Sequence, residues 1–109
     1  MKIAISAQDA LMNALVDMHF GRCKCFAIYD TQTRKTEFIP NDFRETVEGA
    51  GQSAAEFIAA LGVEKAISCE FGVKAKTVLD EFKIQLVILP QHNQTIKQIV
   101  TLLQNTADK

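Results

Sequence analysis

The first apolar run, Ile3-Ala4-Ile5, is unbroken, which is the pattern of a strand covered on both faces, and it predicts a strand over Lys2–Ser6. Residues 7–24 then form a long connection holding Asp9, Asn13, Asp17, His19 and Gly21. Within it, Ala10–Met18 has enough periodic apolar content for a helical turn, and a connection of this length marks a functional segment. Cys25–Asp30, with Phe26, Ile28 and Tyr29, reads as a second strand, and Lys35–Ile39 as a third after the polar turn Thr31-Gln32-Thr33-Arg34. The two make a hairpin, which Pro40-Asn41 ends. Gly49-Ala50-Gly51 reads as a flexible loop. From Gln52 to Leu61, residues Ala54, Ala55, Phe57, Ile58 and Leu61 follow a helical period, and Gly62 stands where a left-handed C-terminal cap belongs. The stripe of Phe57, Ile58 and Leu61 is core. Lys65–Cys69 is a short buried strand and Val73–Phe82 a helix turning Val78, Leu79 and Phe82 inward. Gln85–Leu89 is a strand ended by Pro90, and Thr95 caps a last helix with Ile96, Ile99, Val100 and Leu103 on one face.

Two strands separated by a helix imply a parallel, right-handed crossover. The element order therefore predicts an α/β fold: a mixed five-stranded sheet of order 3-2-1-4-5, with strands 1, 4 and 5 parallel and helices on its faces. In such sheets ligands sit outside the carboxyl ends of the parallel strands. That edge receives the loop after Ser6, the turn Cys69-Glu70-Phe71-Gly72, and Gly49–Gly51.

A chain of 109 residues makes one domain, 1–109, that buries roughly 65% of its unfolded surface. The net charge of -1 is spread over 12 basic and 13 acidic residues without a basic stripe, which argues against nucleic acid as a partner. No apolar run reaches membrane-spanning length and no leader pattern stands at the start, so a cytoplasmic protein is expected. Three cysteines do not make a disulfide framework, and a reducing compartment keeps them as thiols open to metal.

The candidate chemistry is concentrated in His19-Phe20-Gly21-Arg22-Cys23-Lys24-Cys25-Phe26. Thiolate and imidazole suit zinc, copper and iron-sulfur units, and His19, Cys23, Cys25 and Cys69 would complete a tetrahedral site. The spacing lacks paired Cys-x-x-Cys knuckles, so it does not name the metal. A Cys-x-Cys pair in extended chain sends its side chains to opposite faces unless the backbone turns between them, and Gly21 provides that freedom. The alternatives are Cys25 and Cys69 as core thiols and His19 bonded to a carbonyl. Arg22 is placed either to clamp an anion or to pair with Asp17 or Glu70. Gly49 and Gly51 either expose backbone N–H groups to an anion at a helix start or form a simple turn; no Walker sequence follows. His92, after strand 5, is a solvated loop residue at the same edge.

The chain resembles, over nearly its whole length, the dinitrogenase iron-molybdenum cofactor biosynthesis family of the NifX and NifB C-terminal type. The resemblance is carried by Lys2-Ile3-Ala4-Ile5, by His19-Phe20-Gly21-Arg22 followed by Phe26 and Asp30, by Gly49-Ala50-Gly51, by Leu61-Gly62-Val63, and by Phe71-Gly72 followed by Ala75 and Leu79. It implies a ribonuclease H-like three-layer α/β/α fold that binds or carries an iron-molybdenum or related metal-sulfur cluster without turnover. Its partners would be that cluster and a donor or acceptor protein. Cys23-Lys24-Cys25 and Cys69 depart from the family pattern, and both departures add thiols. The competing reading is a non-catalytic interaction or regulatory module whose cysteines are incidental. A magnesium nuclease needs grouped carboxylates, whereas the first strand ends in Ser6 and the nearest acid, Asp9, lies in a loop. Strand 3 is a free edge, compatible with a monomer or a weak homodimer.

Overall fold

The computed structural model describes residues 1–91 and 93–107, so His92 lies outside the described residues. Five strands, β1 (Lys2–Ala7), β2 (Cys25–Asp30), β3 (Thr36–Pro40), β4 (Val63–Ser68) and β5 (Gln85–Ile88), alternate with three helices, α1 (Ala50–Ala60), α2 (Val73–Glu81) and α3 (Ile96–Ala107). The sheet order is β3-β2-β1-β4-β5, the order that the strand and crossover pattern predicts. β1 is antiparallel to β2 and parallel to β4, and β4 is parallel to β5.

The period-2 alternation of strand side chains divides the interior into two cores. Ala4, Phe26, Ile28 and Ala66 face α1 and α2, where they meet Ala54, Ile58, Ala75 and Leu79. Ile3, Ile5, Ala27, Tyr29 and Ile67 face the other way, against Ile96, Ile99 and Val100 of α3. Both faces of β1 are therefore sealed, which is why its apolar run is continuous. Gly62, at φ 81°, takes the left-handed position past the end of α1, and its N–H donates to Ala59 O at 3.0 Å. Thr95 and Gln98 cap α3 reciprocally: Gln98 N–H donates to Thr95 Oγ1 and Thr95 N–H to Gln98 Oε1.

Three local expectations differ from the fold. Ala10–Met18 forms no helix but a single hydrogen-bonded turn, Ala14 N–H to Leu11 O at 3.0 Å; Val16 N–H donates to Gln94 O, Ile96 N–H to Ala14 O and Lys97 N–H to Met12 O, so the segment is tied to the start of α3, and Val16 is fully buried. Phe82, expected inward, is 57% exposed. It is the C-cap of α2, and the chain reverses through Lys83 at φ 59°, so that Ile84 fills the core instead. Finally, α1 begins at Ala50, which makes Gly49 its N-cap and Gly51 part of its first turn. Among the described residues no helix is long and apolar enough to cross a membrane.

Two buried hydroxyls fasten the long β1–β2 connection to the carboxyl edge of the sheet. Ser6 Oγ lies 2.8 Å from Asp17 O and 2.8 Å from Ser68 Oγ, while Ser68 Oγ also reaches Asp17 O and Met18 O. Both serines are fully buried, and a buried carbonyl left without its donor costs about 1–3 kcal/mol. Ser6→Ala is accordingly expected to lower stability by about 1–3 kcal/mol, read as a lower urea midpoint at unchanged slope. An unaltered midpoint would show that the hydroxyl pair does not hold this connection.

Candidate functional site

α1 and α2 start side by side at the carboxyl edge of the parallel strands. The N-cap of α1 is Gly49, at φ 75°, and that of α2 is Gly72; neither helix has a side-chain capping bond. The first intrahelical bonds are Ser53 N–H to Gly49 O and Lys76 N–H to Gly72 O. The N–H groups of Ala50, Gly51 and Gln52, and of Val73, Lys74 and Ala75, come before them and point out of the helix starts. With the two macrodipoles they make that edge attractive to negative charge.

Between the helix starts and the β1–β2 connection lies a crevice of about 500 Å³, open to solvent on one side and walled by His19, Gly21 and Arg22, by the two helix starts, and by Glu70. The close seating of these parts requires glycine. A Cβ on Gly21 would stand 2.6 Å from Gly51 Cα and 2.7 Å from Gly51 N, and one on Gly51 would stand 3.2 Å from Ala75 Cβ. Beneath the connection Phe20 is buried and lies against Phe26 and Phe71, with ring centroids 5.2 and 5.0 Å apart. His19 is exposed above it. Phe20 N–H donates to Glu70 O at 3.0 Å, and His19 Nδ1 lies 3.5 Å from Glu70 Oε2 with both side chains more than half exposed.

Arg22 pairs with neither Asp17 nor Glu70. Its guanidinium donates to the carbonyls of Arg44 at 3.0 Å, Thr46 at 2.8 Å and Val47 at 3.3 Å, holding residues 41–48 as a strap beside the crevice. Asn41, 5% exposed, anchors the start of that strap: its Nδ2 donates to Gly21 O and Cys23 O, each at 3.0 Å, and its Oδ1 accepts from Phe43 N–H. In the sequence Asn41 signals only the end of a strand. Lys74 also escapes a reading of the sequence, because a lysine at a helix start looks like an ordinary solvated residue; here it adds positive charge to the crevice wall.

The structure does not bring the cysteines together. Cys23 is fully buried in the core under α1 and α2, its thiol donating to Phe20 O at 3.3 Å. Cys25 is 4% exposed in the opposite core, facing α3. Cys69 packs on that same side with Sγ 3.4 Å from Gln91 O. The chain bends at Lys24 between Cys23 and Cys25 and delivers their side chains to different cores, and the freedom of Gly21 is spent on its contact with α1. The tetrahedral set of His19, Cys23, Cys25 and Cys69 is therefore not assembled, and among the described residues no three His, Cys, Asp or Glu side chains gather as a metal site. His19, Gly21, Arg22, Gly49 and Gly51, by contrast, all border the crevice.

Burial pushes the Cys23 thiol far above its ordinary value, reinforced by the Asp17 carboxylate. Burial also raises Cys25, with Asp9 adding to it, and Cys69, with Asp17 adding to it. All three are thus poor thiolates at neutral pH. The unfolded chain releases the Cys23 proton near the ordinary 9.0 while the folded chain retains it. Its contribution to stability is present below that pH and lost as pH rises above it, by up to about 1.4 kcal/mol per pH unit. Cys23→Ala is expected to flatten that part of the alkaline decline in unfolding free energy. Iodoacetamide at pH 8 is expected to label Cys69 first and Cys23 only on unfolding; rapid native labelling of Cys23 would contradict its sealed position.

Residues 1–106 match a family model described as dinitrogenase iron-molybdenum cofactor. An uncharacterized protein of Methanocaldococcus jannaschii is 33% identical over 89 residues, spanning 79% of this chain and 72% of the relative. The structure is similar to the apo form of the orange protein from Desulfovibrio gigas, with a TM-score of 0.88 at 27% identity over 97% of this chain and 88% of that one. A candidate NifB protein from Thermotoga shares the fold, with a TM-score of 0.81 at 21% identity, over 97% of this chain and 89% of the other.

Proposed function

The chain belongs to the dinitrogenase iron-molybdenum cofactor family, and on that premise we propose that its crevice receives an anionic metal-sulfur cluster as cargo, in an accessory role in cofactor biosynthesis. The observation that carries this reading is the convergence of two helix starts without side-chain caps, His19, Arg22 and Lys74 on one crevice. This donor set fits a charged guest held by N–H groups and cations. It does not fit a cluster ligated by several cysteines, since those sulfurs lie in two separate cores.

In this reading the backbone around Gly21, Gly49 and Gly51 lets the guest approach the N–H groups closely, Arg22 and Lys74 balance its charge, and His19 supplies an exposed nitrogen ligand. Cys23, Cys25 and Cys69 keep structural roles. A guest held chiefly by charge and hydrogen bonds keeps its own bonds intact when it leaves, which suits receipt from a donor protein and delivery to an acceptor. The protein is then a binder and not an enzyme. The ribonuclease H-like assignment belongs to the same proposal, supported by a 3-2-1-4-5 sheet in which β1, β4 and β5 run parallel.

Anaerobic reconstitution with iron, sulfide and molybdate or copper, followed by desalting and elemental analysis, tests the reading. Wild-type protein is expected to retain metal near stoichiometry, and Cys23→Ala/Cys25→Ala/Cys69→Ala to retain it as well. His19→Ala/Lys74→Glu is expected to lose most of it. Equal retention by wild type and the double variant, or loss in the triple variant alone, would sink the proposal.

A further inference from the structure

Arg22 stands between the crevice and the strap of residues 41–48. A guanidinium has five N–H donors in one rigid plane. Three hydrogen bonds run to the strap carbonyls, two from Nη1 and one from Nη2, which leaves Nε–H and one Nη2–H without a protein partner among the described residues. Arg22 itself borders the crevice and is exposed. The strap's other holds lie mostly toward its start: Asn41 N–H donates to Lys24 O at 3.1 Å and its Nδ2 to Gly21 O and Cys23 O, and the Phe43 ring lies 6.1 Å from that of Phe57 on α1. Inside it the turns rest on Arg44 N–H to Asn41 O at 3.4 Å and Thr46 N–H to Phe43 O at 3.0 Å. Val47, whose carbonyl is the last Arg22 contact, is 90% exposed.

We propose that Arg22 is a positioning residue that couples cargo to strap: one guanidinium holds the strap carbonyls through three donors and offers its remaining two to an acceptor atom of the bound guest. The inference rests on the crevice being the cargo site. A guest that fixes the plane of the guanidinium thereby fixes the carbonyls of Arg44, Thr46 and Val47, so that cargo orders the strap. By linkage, an ordered strap raises cargo affinity by the same factor. The strap leads directly into Gly49, the N-cap of α1, so ordering it also steadies the N–H groups of that helix start. Loaded and empty protein would then present different surfaces over residues 42–48, and a delivery partner has a local difference to read. Lysine cannot do this, because a point charge with rotating donors does not carry orientation from one set of acceptors to another.

The test is amide hydrogen exchange of the strap, read at the Thr46 amide, in apo protein and in protein reconstituted with iron, sulfide and molybdate, for wild type and Arg22→Lys. Metal retention is measured on the same samples. Loading is expected to slow strap exchange in wild type by about tenfold, the equivalent of one charge-assisted bond fixed in place. Arg22→Lys is expected to retain a measurable share of the metal while its strap exchanges at the same fast rate loaded or empty. Retention by both proteins with unchanged strap exchange in wild type, or with equal slowing in the lysine variant, overturns the coupling and leaves the crevice proposal standing. Failure of wild type to retain metal overturns both.

Discussion

The seating of Gly21 on the first turn of α1 is the contact around which the edge is arranged. With a hypothetical Cβ only 2.6 Å from Gly51 Cα, the chain at Gly21 runs against backbone, which cannot move aside as a flexible side chain can. Gly51 in turn leaves little room against Ala75 at the start of α2. Three segments far apart in sequence are thereby drawn to van der Waals distance without a large side chain between them. The crevice is the space left where their polar ends face solvent. Any side chain at position 21 would separate the connection from α1 and move His19 and Arg22 away from the N–H groups they stand beside.

The same packing explains what happens to the thiols. A strand that pairs on both sides, as β2 does with β1 and β3, has its side-chain alternation imposed from its first residue, Cys25. Cys23 precedes the strand and is drawn under Phe20 into the other core. Burial then keeps both as thiols, and the soft donors that seem most reactive in the linear chain are the least available in the folded one. Among the described residues the crevice offers instead backbone N–H groups, the cations Arg22 and Lys74 and the His19 imidazole, a set that attracts negative charge without sulfur.

Polar groups in the interior serve the same arrangement. Ser6 and Ser68 satisfy the carbonyls of Asp17 and Met18, and Asn41 satisfies those of Gly21 and Cys23. A segment as long as residues 8–24 would otherwise bury carbonyls without partners, at a cost of several kcal/mol. Three short side chains, on β1, on β4 and just past β3, remove that cost, and they also fix where the connection lies.

The order of strands and helices was legible in the sequence because hydrophobic period is a local property. The unbroken run at Ile3-Ala4-Ile5, the alternation through Phe26 and Ile28, and the helical stripes ending at Gly62 and beginning at Thr95 each state their own geometry. With the handedness of parallel crossovers they define the 3-2-1-4-5 sheet and its carboxyl edge. So does the presence of His19, Gly21, Arg22, Gly49 and Gly51 at that edge, since topology alone brings their loops there. What tertiary structure decided was the direction and employment of side chains: Arg22 turned to three carbonyls of the strap, Asn41 buried as a brace, Lys74 at the crevice wall, Phe82 outside and Ile84 inside, and the sulfurs divided between two cores. These depend on which atoms from distant segments compete for the same space and the same hydrogen bonds, and no local pattern carries that information.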